Sequence, residues 1–86
     1  MMKLDWQTVG DIRKNTKSLE LWDGDQQHIA DVTRYDDTNH LKINTYGNEL
    51  DVAALEKVIA LALTHLGDFE DGTPLSEARM TQEVLP

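Results

Sequence analysis

The stretch KSLELWDGDQQHIADVTRYDDTNHLKINTYG, residues 17–47, decides the architecture, because it holds three strand-like runs separated by strong turn signals. Lys17 to Asp23 alternates Ser18, Glu20 and Trp22 against Leu19 and Leu21, the two-residue period of a half-buried strand. Asp23-Gly24-Asp25 then marks a turn, since Gly accepts positive φ and Asp bonds to nearby backbone amides. A second strand, about Gln27 to Tyr35, places His28, Ala30 and Val32 on one face and Ile29, Thr33 and Tyr35 on the other. Asp36-Asp37-Thr38-Asn39 supplies the next turn. The third strand, His40 to Tyr46, sets Leu41 and Ile43 against Lys42, Asn44 and Tyr46, and Gly47-Asn48 closes it. Turns this short favour antiparallel neighbours, hence a three-stranded meander.

Outward from the meander, helices are expected on both sides. Asp5 is an N-cap candidate for a first helix, with Trp6, Val9 and Ile12 at three-residue spacing and Asn15 near its end. Arg13, Lys14 and Lys17 then complement the negative end of its dipole. After the meander, Asn48 or Asp51 caps a longer helix. Its stripe is Leu55, Val58, Ile59, Ala62, Leu63 and Leu66, and Gly67 follows as a natural C′ residue. Ala54, Leu61 and His65 widen that stripe to one side. Thr73-Pro74 reads as N-cap plus first helical residue of a short third helix running to about Gln82. The fold class expected is α+β. Its order is helix, three-stranded antiparallel meander, long helix and short C-terminal helix, in a two-layer sandwich. Residues 1–67 would form the domain, and 68–86 an acidic loop and helix, packed on it or partly mobile.

Composition bounds what such a domain can do. Sixteen Asp and Glu against eight Lys and Arg leave a formal charge of −8 on 86 residues. A surface this negative repels nucleic acid and anionic membranes and attracts basic protein surfaces. Hydrophobic residues make up 40% of the chain, too many for a disordered acidic tail. The absence of Cys removes disulfides, thiolate catalysis and zinc ribbons, and fits a reducing cytoplasm. Val52 to Leu66 is interrupted by Glu56, Lys57 and His65 and is too short to span a bilayer, so a soluble protein is expected.

No motif for chemistry survives comparison with its plainer explanation. Thr38, Asp37 and His40 lie close together, but on a turn tip where little excludes water. His65 on the shoulder of an apolar helix reads as a packed or dipole-compensating histidine. Asp23 and Asp25, and likewise Asp36, Asp37 and His40, are explained by turn chemistry without a metal. Asp68, Glu70 and Asp71 read as a solvated loop, and none of the five glycines forms a phosphate cradle. The expectation is a protein that is not an enzyme and carries no cofactor or metal.

What remains is binding. Trp22, Tyr35 and Tyr46 are outward aromatics of the kind favoured at interfaces. With Glu20, Asp23, Asp25, Asp31, Asp36 and Asp37 they form the candidate partner-binding set. In size, acidity, lack of Cys and the helix–three-strand–helix layout of about Asp5 to Gly67, the chain resembles small phage- or prophage-borne anti-CRISPR proteins. That resemblance implies charge mimicry of DNA: carboxylates meet the Arg and Lys of a basic nucleic-acid-binding host protein, such as an RNA-guided nuclease complex, in the bacterial cytoplasm. The rival reading is a small homodimeric structural or regulatory module, built on the wide helix face or on the sheet.

Overall fold

The computed structural model describes residues 4–24 and 27–83. Five strands form one sheet in the order β1 (Leu4–Asp11), β2 (Thr16–Asp23), β3 (Gln27–Tyr35), β4 (His40–Asn44) and β5 (Arg79–Glu83). The first four make an antiparallel meander, and β5 joins β4 in parallel. One helix, α1 (Val52–His65), and a 3₁₀ turn, Leu75–Glu77, connect β4 to β5. This overturns the helix–three-strand–helix–helix arrangement: the sheet has four antiparallel strands rather than three, and the described residues form one α-helix.

The first helix is in fact β1. Its residues Trp6, Thr8 and Val9 suit a pleated strand, and β2 would otherwise present a bare edge. The reversal at 12–15 has its own chemistry. Asp11 Oδ1 accepts from the amides of Arg13 (3.0 Å) and Lys14 (3.4 Å), and Asn15 takes φ of 53°. The three-residue spacing of Trp6, Val9 and Ile12 therefore has no helical meaning. Ile12 projects from the turn, 95% exposed.

At the other end, Thr73-Pro74 opens only a single 3₁₀ turn. Ala78 returns to extended backbone, and Arg79 N–H donates to the Asn39 carbonyl as the chain enters β5. Pairing with the open edge of β4 satisfies a row of backbone groups that a short helix with few apolar residues would leave to water.

The strands β2 and β3 and the helix α1 form where the residue patterns place them, whereas β4 ends at Asn44 and the expected last strand residue, Tyr46, lies in the following turn with φ of 53°. Asp51 is the N-cap of α1, accepting from Ala54 N–H at 2.9 Å. The helix lies over β2 and β3. Leu19, Leu21, Ile29, Ala30, Val32, Leu41 and Ile43 meet Val58, Ala62 and Leu66 in one core, closed by Phe69 and Leu75. Leu63 does not join the buried stripe and is exposed.

A β-bulge alters the expected faces of β3. Leu21 pairs with Ala30, but Trp22 pairs with His28, so Ile29 is the extra residue. The parity of the strand reverses there. Ile29 enters the core, and His28 moves to the face that carries Asp31 and Thr33. Strict alternation had assigned each to the opposite face.

Arg34 ties the two layers together. It lies on the core side of β3, opposite Leu41, and reaches the carboxyl end of α1. Its Nη1 donates to the carbonyls of Leu66 and Asp68, the latter at 2.9 Å. Its Nε and Nη2 hold the two Asp36 oxygens at 3.1 and 3.2 Å. Asp36 Oδ1 also accepts from Glu70 N–H at 3.1 Å. The two side chains are only 12% and 5% exposed, so removing one partner strands a buried charge. Arg34→Leu and Asp36→Asn should each lower the unfolding free energy by about 3 kcal/mol or more, measured by urea titration. Arg34→Lys should recover only part, because an ammonium cannot present the planar fork.

Candidate functional site

The helix covers one face of the sheet and leaves the other open. Parity places Glu20 and Trp22 of β2, Asp31, Thr33 and Tyr35 of β3, and Lys42 and Asn44 of β4 on that open face. Tyr46 joins them through the turn after β4. Its backbone has φ of 53°, its N–H donates to Asn44 Oδ1 at 2.9 Å, and Asn48 N–H closes onto the Thr45 carbonyl. Asn48 Nδ2 also donates to the carbonyl of Ile29, which couples this turn to the bulge.

At the centre of the face Glu20 and Asp31 are direct cross-strand partners. Like charges facing each other across a ladder are destabilising, so the pair has to be supported. Glu20 Oε1 accepts from Gln7 Nε2 (2.7 Å) and Trp22 Nε1 (3.2 Å). Asp31 accepts from Thr33 Oγ1 at 3.2 Å and from the Tyr46 hydroxyl. The Thr33 hydroxyl in turn meets Ser18 Oγ at 2.7 Å. Among the described residues neither carboxylate forms an ion pair with Lys or Arg; the His28 imidazole Nε2 lies 3.7 Å from Asp31 Oδ2. Neutral dipoles stabilise the two charges and leave them uncancelled.

Aromatic rings close one side of this carboxylate pair. His28 stacks on Trp22 with centroids 4.9 Å apart and leans on Tyr46 at 4.8 Å. Lys42 Nζ sits 5.1 Å from the Tyr35 ring centroid. Between them runs a trough of about 290 Å³, lined by the carboxylates of Glu20, Asp31 and Asp11 and the hydroxyls of Ser18, Thr33 and Tyr46, with Lys14 as its one cationic lining residue. Its chemistry suits a cation with several hydrogen-bond donors.

Of the expected partner-binding residues, Glu20, Trp22, Asp31, Tyr35 and Tyr46 meet on this face. Asp23 ends β2, and Asp37 sits exposed on the next turn, accepting from Asn15 Nδ2 at 3.0 Å. These two lie at opposite ends of the nine-residue β3, on the order of 30 Å apart at ~3.3 Å per residue. Asp36 is turned inward to Arg34, and Asp25 lies outside the described residues. The turn acids therefore do not combine into one patch with the sheet face.

Gln7, Ser18, His28 and Thr33 belong to the site without having been part of the expected partner-binding set. Reading 5–15 as a helix removed Gln7 from the sheet, and the bulge hid His28. Ser18 and Thr33 were legible from strand parity alone, as cross-strand partners on the face of Glu20 and Asp31.

Farther off, Asn39 Nδ2 and the backbone and side chain of Thr73 bond to Asp71 and hold its carboxyl below the ordinary aspartate range. Asp71 lies in the loop that leads to the 3₁₀ turn, away from the trough. Among the described residues no group of three or more His, Asp and Glu is placed to hold a metal ion. No described helix is long and apolar enough to cross a membrane.

Burial raises the Tyr46 phenol above its usual value of about 10, and the hydrogen bond to Asp31 and that residue's charge raise it further. A raised folded value means the stabilisation from the neutral phenol is complete below about pH 10 and is lost as pH rises through the folded value. Asp31→Asn should move the high-pH tyrosinate step back toward 10. The absorbance at 295 nm followed against pH measures it.

No family model matches this chain, and no curated protein or solved structure matches it either.

Proposed function

We propose that the chain is a non-enzymatic binding protein that receives basic side chains of a partner protein on its open sheet face. The observation that carries this reading is the cross-strand pair Glu20 and Asp31, each held by two neutral donors and neither paired with Lys or Arg among the described residues. A guanidinium entering the trough offers planar, forked donors matched to carboxylates. Trp22 and Tyr46 provide aromatic surface beside it. The formal charge of −8 adds long-range attraction toward a basic target.

Channels that admit DNA are lined with Arg and Lys aimed at phosphates, so a carboxylate surface of this kind competes there by charge mimicry. A basic nucleic-acid-binding host protein, including an RNA-guided nuclease complex, is the partner class that this reading favours. Support for that narrower class comes from charge alone, since the layout that suggested it is not the one the chain adopts.

A nona-arginine peptide titrated into the protein, followed by the Trp22 indole NMR signal, tests the reading. Binding should weaken on the order of tenfold between about 50 and about 300 mM salt. The double variant Glu20→Gln, Asp31→Asn should lose most of the remaining affinity. Binding that ignores both salt and the double variant overturns the proposal.

A further inference from the structure

β1 is an edge strand: among the described residues it pairs with β2 on one side and with no strand on the other. About half of its backbone amides and carbonyls therefore point outward, away from the β2 ladder. Natural sheets blunt such edges with Lys, Pro, bulges or very short strands. β1 has none of these, and the only charges it carries are the acids Asp5 and Asp11, which repel an acidic strand and admit a basic one. It is eight residues long, contains no Lys, Arg or Pro, and keeps an unbroken register with β2 from Leu4 to Asp11. Three of the exposed large hydrophobics lie along this hairpin: Trp6 (42% exposed), Val9 (44%) and Ile12. Trp6 leans on His65 of α1, with ring centroids 4.4 Å apart, and leaves the rest of its surface open.

Charge restricts what can add to this edge. On the open-face side β1 presents Asp5, Gln7, Val9 and Asp11, with Glu20 behind Gln7. On the helix side it presents Trp6, Thr8 and Gly10. Arg13 and Lys14 lie in the turn beyond Asp11, where Lys14 is the one basic residue lining the trough, and Lys17 is on the helix side of β2. An added strand with basic residues on one face and apolar residues on the other matches both rows. A second copy of this chain would bring another −8 against the same acids.

We infer that β1 is a strand-addition site for an extended, basic segment of a partner protein, whose cationic side chains face Asp5 and Asp11 while its apolar side chains flank Trp6. This rests on the proposed reading of the protein as a receiver of basic partners and adds the mode of docking. Main-chain hydrogen bonds then supply affinity, and alternate side chains supply selection. The new strand extends the sheet alongside the trough, so one partner segment reaches Glu20 with the same row of basic residues.

Three octapeptides test it: Lys-Val repeated four times, the same peptide N-methylated at alternate backbone nitrogens, and Thr-Val repeated four times. Affinity and amide hydrogen exchange over residues 4–11 are read for each. The first peptide should bind and slow exchange along β1. The N-methylated peptide, with the same charge and side chains, should bind at least tenfold more weakly. Equal binding of the first two overturns strand addition while leaving the basic-partner reading in place. Thr-Val binding as well as Lys-Val refutes the basic segment while leaving the edge as the site. Concentration-dependent protection of β1 without any peptide, with a dimer in sedimentation, assigns the edge to a second copy and also overturns the inference.

Discussion

The Arg34 guanidinium is the constraint on which the rest of this small fold depends. A helix ends with carbonyls that have no intrahelical partner, and its carboxyl end carries partial negative charge. In α1 that end is buried against the sheet, where Leu66 is fully enclosed. Arg34 supplies donors to the Leu66 and Asp68 carbonyls, and Asp36 neutralises the charge that this brings inside. Glu70 N–H then bonds to the same carboxylate, so the loop after the helix is fixed to the turn after β3. One side chain thus sets the height of the helix on the sheet and the start of the path back to β5.

This has a consequence for the charge of the protein. Asp36 is among the acids that seem at first to advertise a binding surface, yet it is a structural counter-ion. Asp71 is similarly engaged by Asn39 and Thr73, which pins the loop entering the 3₁₀ turn. Asp51 caps α1, and Asp11 shapes the first hairpin turn. A good part of the acidity is therefore spent on turn and cap geometry. Glu20 and Asp31 differ from these: neither satisfies a backbone amide, and their placement opposite each other works against stability.

How much of this could be read from residues alone follows from the range of the forces involved. β2, β3, β4 and α1 carry their own signals: alternating apolar residues, Gly and Asp at turns, and a helical stripe behind a capping Asp51. Their core residues were legible for the same reason, since periodicity states which side chains share a face. β1 and β5 were not, because each is a strand chiefly through the neighbour it pairs with. Trp6, Val9 and Ile12 fit a helical spacing and break a strand's alternation, since Trp6 and Val9 fall on opposite faces of β1, and the bare edge of β2 overrides that spacing. The 79–83 segment has little apolar character, and the open edge of β4 makes it a strand. Ile29 shows a finer limit. Nothing in its immediate neighbours announces a bulge, yet one extra residue there exchanged the faces of His28 and Ile29 and so rewrote the membership of the site. The inward turn of Asp36 was equally hidden, because it depends on a helix end more than thirty residues away in the chain.

The two faces of β3 show why the open face can be read separately from stability. On the core side, Ala30, Val32 and Arg34 face α1, and each substitution there disturbs packing or a buried ion pair. On the other side, Asp31, Thr33 and Tyr35 interact with polar neighbours that no helix covers. If Glu20 and Asp31 only helped solubility, dispersed carboxylates anywhere on the surface would serve as well, without the repulsion of a cross-strand pair. Gln7, Trp22, Thr33 and Tyr46 come from three strands and one turn to hold two uncancelled charges side by side. A fold that places four donors around a repulsive pair is arranged to keep it in one geometry, and a cation between the two carboxylates would convert that repulsion into attraction.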